Sequence, residues 1–165
     1  MSVWLVRETL VCRREHGLVM PEGVDQGLFD RVHHFDGWLW HTLYSKRDFC
    51  VGSFRRGVQR FHDCLASIAT SENKHKLTLF SAHDNSLVAL MRALQLQVDD
   101  VIPHYGAMLV FEVYRDDATA ELFIRARYEG KAVAFHGHEH RAMCPITHVE
   151  RLTKEFLSHK RPPQL

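Results

Sequence analysis

A histidine and an aspartate stand side by side at His83-Asp84, directly after the apolar run Leu77–Ala82. The imidazole can donate a hydrogen bond to a phosphate oxygen, and a carboxylic acid can protonate the oxygen of a leaving alcohol. The pair is therefore a candidate for acid chemistry on a phosphate ester. The alternative is that Asp84 only caps a helix and that His83 only satisfies a turn.

The segments on either side of this pair predict a corner between a strand and a helix. Leu77–Ala82 has the length and apolar character of a strand buried on both faces. Asn85 or Ser86 can cap the following helix, whose apolar residues recur at helical spacing: Leu87, Leu90, Met91 and Leu94. The first N–H groups of a helix lack internal partners, so such a corner favours an anion. In α/β sheets, ligands bind beyond the carboxyl ends of the strands.

Two helices are predicted upstream of the corner. One begins after Asp25, which can serve as its N-cap, and the other covers residues 54–68. Lys46–Ser53 is predicted to be a polar connection between them. Residues 1–13 are expected to form a helix or an irregular segment.

The downstream half predicts a strand meander and a final helix. Strands are expected over Ala107–Tyr114 and Glu121–Tyr128, and a hairpin turn at 129–131 lets Val133–Phe135 pair back. A last helix is expected after Cys144-Pro145. The predicted order is two or three helices, then a strand, a helix and a strand meander. This order predicts an α/β or α+β region preceded by a helical subregion.

The bulk composition excludes several classes of partner. The chain of 165 residues has 21 basic and 20 acidic side chains and a net charge of +1. This balance argues against a nucleic-acid partner, which usually meets a basic stripe. No apolar run approaches the roughly 20 residues that a membrane span needs, and no signal peptide is recognised. We therefore expect no nucleic-acid partner and no membrane span, and the compartment is left unassigned.

Thirteen histidines and four cysteines raise the question of a metal site. No two cysteines form a CxxC pair, so a zinc knuckle has no support. His136, His138 and His140 alternate, but a tetrahedral zinc site would need further ligands from elsewhere. His33 and His34 are adjacent in a predicted helix, so they point about 100° apart. We predict a solvated loop at 136–140 and no metal.

The corner Ser81-Ala82-His83-Asp84 resembles the HD motif of the histidine acid phosphatases, which are branch 2 of the histidine phosphatase superfamily. Further segments follow in the order of that family: Pro103-His-Tyr105-Gly, Leu109-Val-Phe111-Glu112-Val, Arg125-Ala-Arg-Tyr128-Glu-Gly130 and Met143-Cys144-Pro145-Ile. Two upstream segments are similar to part of the family's helical cap: Glu8-Thr-Leu-Val-Cys12 and Leu18-Val-Met-Pro21. The resemblance covers nearly the whole chain but only the C-terminal part of the family's length. The tail from Tyr128 to Pro145 is most similar to the 2-phosphoxylose phosphatase-like members.

This resemblance implies an α/β fold, namely the C-terminal part of a histidine-phosphatase fold, with a mixed sheet flanked by helices. Residues 1–52 would belong to the helical cap and residues 53–165 to the phosphatase domain, with the N-terminal catalytic strand missing. The implied activity is hydrolysis of phosphomonoesters through a phosphohistidine, without a cofactor. Asp84 would be the general acid, and His83 would bind the phosphate of a small molecule or sugar phosphate.

The chain departs from the family at the nucleophile. The family's Arg-His-Gly-x-Arg-x-Pro motif does not occur, and the nearest string, Arg14-Glu-His16-Gly17, lies in the cap-like segment. Asn85 and Ser86 replace two residues that are usually threonines, and both keep polar capping groups. Cys12 matches a cap cysteine whose usual partner position is occupied by Met108, so the family's disulfide is not expected.

These departures lead to two hypotheses. The first is an enzyme whose chain is truncated here and inactive alone. The second is a non-catalytic, phosphatase-like binding or regulatory module. In either case the strand at 77–82 would lack its neighbour, and an open apolar edge favours self-association.

Overall fold

The computed structural model describes residues 2–70, 75–99, 102–141 and 143–160. The elements follow one another along the chain in this order: α1 (Val3–Glu15), α2 (Gln26–Ser45), α3 (Arg47–Ala69), α4 (Asp84–Ala93), β1 (Leu109–Arg115), β2 (Leu122–Tyr128), β3 (Lys131–Val133), β4 (Cys144–Pro145) and α5 (Ile146–Ser158).

The helical half agrees with the sequence pattern except at one junction. Asp25 caps α2 as predicted, because its Oδ1 accepts a hydrogen bond of 2.6 Å from the Leu28 amide. The predicted polar connection at 46–53 is wrong, since only Lys46 separates α2 from α3. Cys50 and Val51 are buried in the core. Burying these apolar side chains stabilises the first turns of α3 despite the polar residues around them.

The predicted strand over 77–82 is also wrong. The segment runs into α4 without regular secondary structure. Leu77 is 81% exposed and Leu79 is 86% exposed. A strand needs a neighbour for its backbone N–H and C=O groups, and no strand of the described ranges lies beside this segment.

The sheet is a meander organised around β2. β1 pairs with β2 antiparallel, from Leu109 opposite Tyr128 to Arg115 opposite Leu122. β3 and β4 also pair antiparallel with β2. The α/β class is confirmed, but the described pairings are all antiparallel where a mixed sheet was expected. Short turns join β1 to β2 and β2 to β3, and such turns connect antiparallel strands.

The main core lies between the sheet and the last three helices. Ile124 and Ala126 project from β2 into a cluster with α3, α4 and α5, and Val58, Val149 and Phe156 are fully buried there. A smaller cluster of Leu10, Val11 and Phe29 joins α1 to α2.

The domain boundary proposed between residues 52 and 53 falls inside α3, which runs unbroken across it. This helix contacts α2, α4 and α5. Among the described residues, no helix combines the length and the apolar character needed to cross a bilayer.

Candidate functional site

The His83-Asp84 corner forms the beginning of α4. The N-cap is His83, not Asn85 or Ser86 as predicted, and its carbonyl accepts from the amides of Ser86 at 3.1 Å and Leu87 at 3.2 Å. The imidazole makes no capping hydrogen bond, and His83 is exposed. Its ring is therefore accessible to a ligand at the positive end of the helix dipole.

Asp84 has both a structural contact and an exposed face. Its Oδ1 accepts a hydrogen bond of 2.7 Å from the Asn85 amide, which supports the first turn of α4. Its Oδ2 lies 3.5 Å from Nη2 of Arg7 on α1. The side chain is 35% exposed. Asp84 thus supports the start of α4 through one carboxylate oxygen, and its side chain is still partly open to solvent.

Arg7 is the central cation of the site. Its side chain is 5% exposed, and its Nε lies 2.7 Å from Oδ2 of Asp36, which is 1% exposed. The guanidinium also contacts the carboxylate of Glu8. Burial raises the pKa of Asp36, and the charge of Arg7 opposes that rise. Three carboxylates, on α1, α2 and α4, therefore share one guanidinium.

Tyr105 contacts two residues of α1 at the edge of the cluster. Its hydroxyl donates a hydrogen bond of 2.8 Å to Oε2 of Glu8 and lies 4.0 Å from the Cys12 sulfur. The hydrogen bond to Glu8 raises the pKa of Tyr105. Two segments that resemble the family separately, Glu8–Cys12 and Pro103–Gly106, are thus brought together in space.

A second polar pair lies behind the corner. Arg92 at the end of α4 donates through Nε to Nδ1 of His41 at 3.0 Å. His41 is 1% exposed on α2. This bond ties α4 to the helical region and helps to set the direction in which α4 presents its N-terminus.

Sequence analysis missed Arg7, Asp36 and Tyr105. The signal for Arg7 was a charged residue between the apolar residues Val6 and Leu10, of which Leu10 is buried. An arginine at such a position needs a buried partner. Its partner Asp36 is a long way off in sequence, and nothing in the local pattern indicates it.

His16, which belongs to the string nearest to the family's nucleophile motif, is the C-cap residue of α1 and is exposed. It lies nine positions after Arg7, which is roughly 13 Å along a helix axis. Among the described residues, no hydrogen bond joins His16 to His83 or Asp84. All four cysteines are free thiols in the structure.

Two concave pockets of the described structure lie away from the corner: one is lined by residues that include Arg47, Arg92 and His136, and the other by residues that include Arg55 and His159. Neither pocket contains His83 or Asp84 in its lining.

The family of the chain follows from a match to a family model. The model of the histidine phosphatase superfamily (branch 2) matches residues 11–129, which is more than half of the chain. The chain belongs to this superfamily. The matched range contains His83, Asp84 and Tyr105 of the cluster described above, whereas Arg7 and Glu8 precede it.

Two relatives show what share of a superfamily member's length this chain covers. Lysosomal acid phosphatase of Homo sapiens is 27% identical over 161 residues, which cover 93% of this chain and 37% of that protein. 2-Phosphoxylose phosphatase 1 of Rattus norvegicus is 36% identical over 86 residues, which cover 47% of this chain and 18% of that protein. The chain thus spans little more than a third of the lysosomal relative's length.

A solved structure supports the fold. The phytase from Citrobacter braakii superposes with a TM-score of 0.64 at 17% identity, over 92% of this chain and 47% of that one. The histidine-phosphatase fold expected from the sequence is confirmed for the part that this chain covers.

Proposed function

We propose that this chain carries the acid half of a phosphomonoester-hydrolysing site, with Asp84 as general acid and His83 as a contact to the phosphate. Membership of the histidine phosphatase superfamily supports this, because His83 and Asp84 resemble the family's HD motif and lie within the matched range. Their position at the N-terminus of the ten-residue helix α4 also supports it, since that end of a helix favours an anion.

The roles follow from the two side chains. His83 is exposed and without a capping bond, so its ring N–H can donate to a non-bridging phosphate oxygen. Asp84, when protonated, can donate its proton to the leaving oxygen as the phosphorus–oxygen bond breaks. Family resemblance implies that the phosphoryl group passes to a histidine nucleophile and then to water. We propose a phosphorylated small molecule or a sugar phosphate as substrate.

On this proposal the chain of 165 residues is inactive alone. The Arg-His-Gly string of the family does not occur in it. Loss of a covalent nucleophile removes most of the rate of an enzyme that depends on one. Binding of phosphate at the corner and turnover of an ester are therefore separate properties of this chain.

A non-catalytic, phosphatase-like binding or regulatory module is the second candidate. One observation favours it: the guanidinium of Arg7 is engaged by Asp36, Glu8 and Asp84. The net charge of this group is negative when the carboxylates are ionised, which disfavours a phosphate dianion beside it. Such a corner would hold a ligand with less negative charge.

Titration of the chain with inorganic phosphate tests the corner directly, with amide chemical shifts as the readout. We expect His83→Ala to weaken phosphate binding by about tenfold, which is the scale of a lost charge-assisted hydrogen bond. Asp84→Asn should preserve or strengthen binding, because it removes a negative charge. His16→Ala is the matched control and should bind like the parent chain. Equal losses in His83→Ala and His16→Ala would overturn the assignment of His83.

Hydrolysis of an aryl phosphate tests the general-acid role of Asp84. Any activity of the chain that disappears in Asp84→Ala supports the general-acid role. Activity that is unaffected by Asp84→Ala contradicts it. Phosphate binding that depends on His83, without measurable hydrolysis, is the result expected for the chain alone.

A further inference from the structure

We propose a site for a transition-metal ion of the Zn²⁺ type at His138, Cys144 and His148, apart from the His83-Asp84 corner. One potential ligand atom from each of these side chains lies within 4.8 Å of the other two. Two imidazoles and one thiolate are a ligand set that zinc prefers in proteins. The proposal does not depend on the phosphatase function.

Three different elements bring these residues together. His138 lies in the turn after Phe135, a buried residue that bridges to Leu96. Cys144 lies on β4 and pairs with Ile124 at the centre of the sheet. His148 is the third residue of α5. The cluster is thus anchored by the sheet, a helix and a loop.

The two histidines present nitrogen atoms that have no hydrogen-bond partner within the described part of the chain. Nδ1 of His138 and Nε2 of His148 are both buried in this way. The other nitrogen of His148, Nδ1, lies 3.3 Å from Nη2 of Arg151. Buried ring nitrogens are normally paired, and a metal ion would pair both. The ring centroids are 4.4 Å apart with an interplanar angle of 73°.

Cys144 supplies the third ligand. It is 2% exposed, and its sulfur lies 3.5 Å from the carbonyl oxygen of Pro145, to which the thiol donates. A cysteine thiol without a metal ion carries its proton near neutral pH. Binding therefore replaces the S–H bond by an S–metal bond and releases one proton to solvent.

Metal binding requires the three ligand atoms to move closer together. Ligand atoms around tetrahedral zinc lie about 3.5 Å apart, given metal–ligand distances of about 2.0–2.3 Å. The three side chains would therefore approach by about 1 Å. Gly137, with a φ of 79°, precedes His138 and allows the loop to adjust. Three protein ligands leave a fourth position for water.

The neighbouring histidines provide matched controls. His136 is exposed and contacts Glu139, with Nδ1 3.2 Å from Oε1. His140 is also exposed. Neither belongs to the cluster of His138, Cys144 and His148. If the rings of His138 and His148 only pack edge to face, substituting either of them should change the metal affinity no more than substituting His136 or His140 does.

The test is titration of the metal-free chain of 165 residues with Co²⁺, followed by displacement with Zn²⁺ in competition with a chromophoric chelator. We expect one ion per chain and a near-ultraviolet sulfur-to-cobalt band. Cys144→Ser should abolish that band. His138→Ala and His148→Ala should each weaken Zn²⁺ binding by at least about tenfold, the lower bound for loss of even an outer-shell partner. His136→Ala and His140→Ala should bind like the parent chain.

Several results would overturn the proposal. They are a cobalt spectrum unchanged in Cys144→Ser, equal losses in His136→Ala and His138→Ala, or no binding at millimolar Zn²⁺ by a chain with the expected helical circular dichroism. His138 lies in a loop and is only partly buried, so His138→Ala tests the site even where Cys144→Ser fails to fold.

Discussion

Arg7 on α1 and Asp36 on α2 form a buried ion pair, with Nε 2.7 Å from Oδ2 and side chains 5% and 1% exposed. The same guanidinium reaches Asp84 at the start of α4. Three helices that are separate in sequence therefore share one charged contact. Breaking a buried pair leaves an unpaired charge in the interior, which costs more than the pair itself contributes.

We expect Arg7→Met to lower the free energy of unfolding by about 3–5 kcal/mol, because it leaves the Asp36 carboxylate buried without its cation. The double variant Arg7→Met/Asp36→Leu should recover most of this loss. Urea denaturation followed by circular dichroism measures both. Arg151→Ala, at an exposed pair with Glu155, is the control and should change stability by less than about 1 kcal/mol. A similar effect of Arg7→Met and Arg151→Ala would contradict the prediction.

Substitution in the main core tests the packing of α5. Phe156 is fully buried among residues of α3, α4 and the sheet. Phe156→Ala should cost about 3–5 kcal/mol, which is the usual effect of removing a buried aromatic side chain. Val19→Ala, at a position that is 83% exposed, should have almost no effect. A loss below about 1 kcal/mol for Phe156→Ala, in the same urea experiment, would show that this packing is wrong.

The cross-strand pair of Glu112 and Arg125 predicts a pH dependence of stability. Arg125 donates to Glu112 at 2.7 Å and thereby lowers the pKa of Glu112 from its usual 4.5. A carboxyl group with a lower pKa in the folded state contributes stability above its unfolded pKa. That contribution is lost as the pH falls through the folded value.

The difference in unfolding midpoint between the parent chain and Glu112→Gln should therefore be present near pH 7 and shrink as the pH falls below about 4.5. Denaturation curves at pH 7, 5 and 4 measure it. Glu121→Gln, at an exposed residue just before β2, is the matched control. A difference that grows on acidification would refute this reading of the pair.

The apolar segment between α3 and α4 predicts self-association. Leu77, Leu79 and Phe80 are 81%, 86% and 54% exposed, and such a segment is a template for pairing with another chain. Leu77→Lys/Leu79→Lys should shift the chain towards monomer in sedimentation velocity experiments. Val19→Lys changes another exposed apolar residue and should leave the distribution unaltered. A parent chain that is monomeric at all concentrations would rule the prediction out.

Helices α2 and α5 were predictable because one periodic face of each is buried against neighbours. Asp25 also had the chemistry of a cap at the right position. The strand predicted over 77–82 failed for a different reason. The segment has the apolar composition of a buried strand. A strand must also pair with a neighbouring strand, and the local sequence does not show whether that partner is present.

The candidate site was predictable only in part. His83 and Asp84 were identified by their place at the start of a helix and by their family resemblance. Arg7 and Asp36 were missed. Arg7 had a local signal in its position between Val6 and Leu10, but its partner Asp36 had none, because an ion pair between two helices leaves no local spacing to recognise. Sequence analysis considered the three histidines at 136–140 as ligands of one shared site. The structure instead places only His138 of these three beside Cys144 and His148.

The exposed segment that precedes α4 is also the expected site of proteolytic cleavage. Backbone without regular structure and with solvated side chains on both sides of Leu79 fits an extended protease cleft. Chymotrypsin should nick the chain there before it attacks the helices. The two fragments should stay together afterwards, since α3 on one side packs against α4 and α5 on the other.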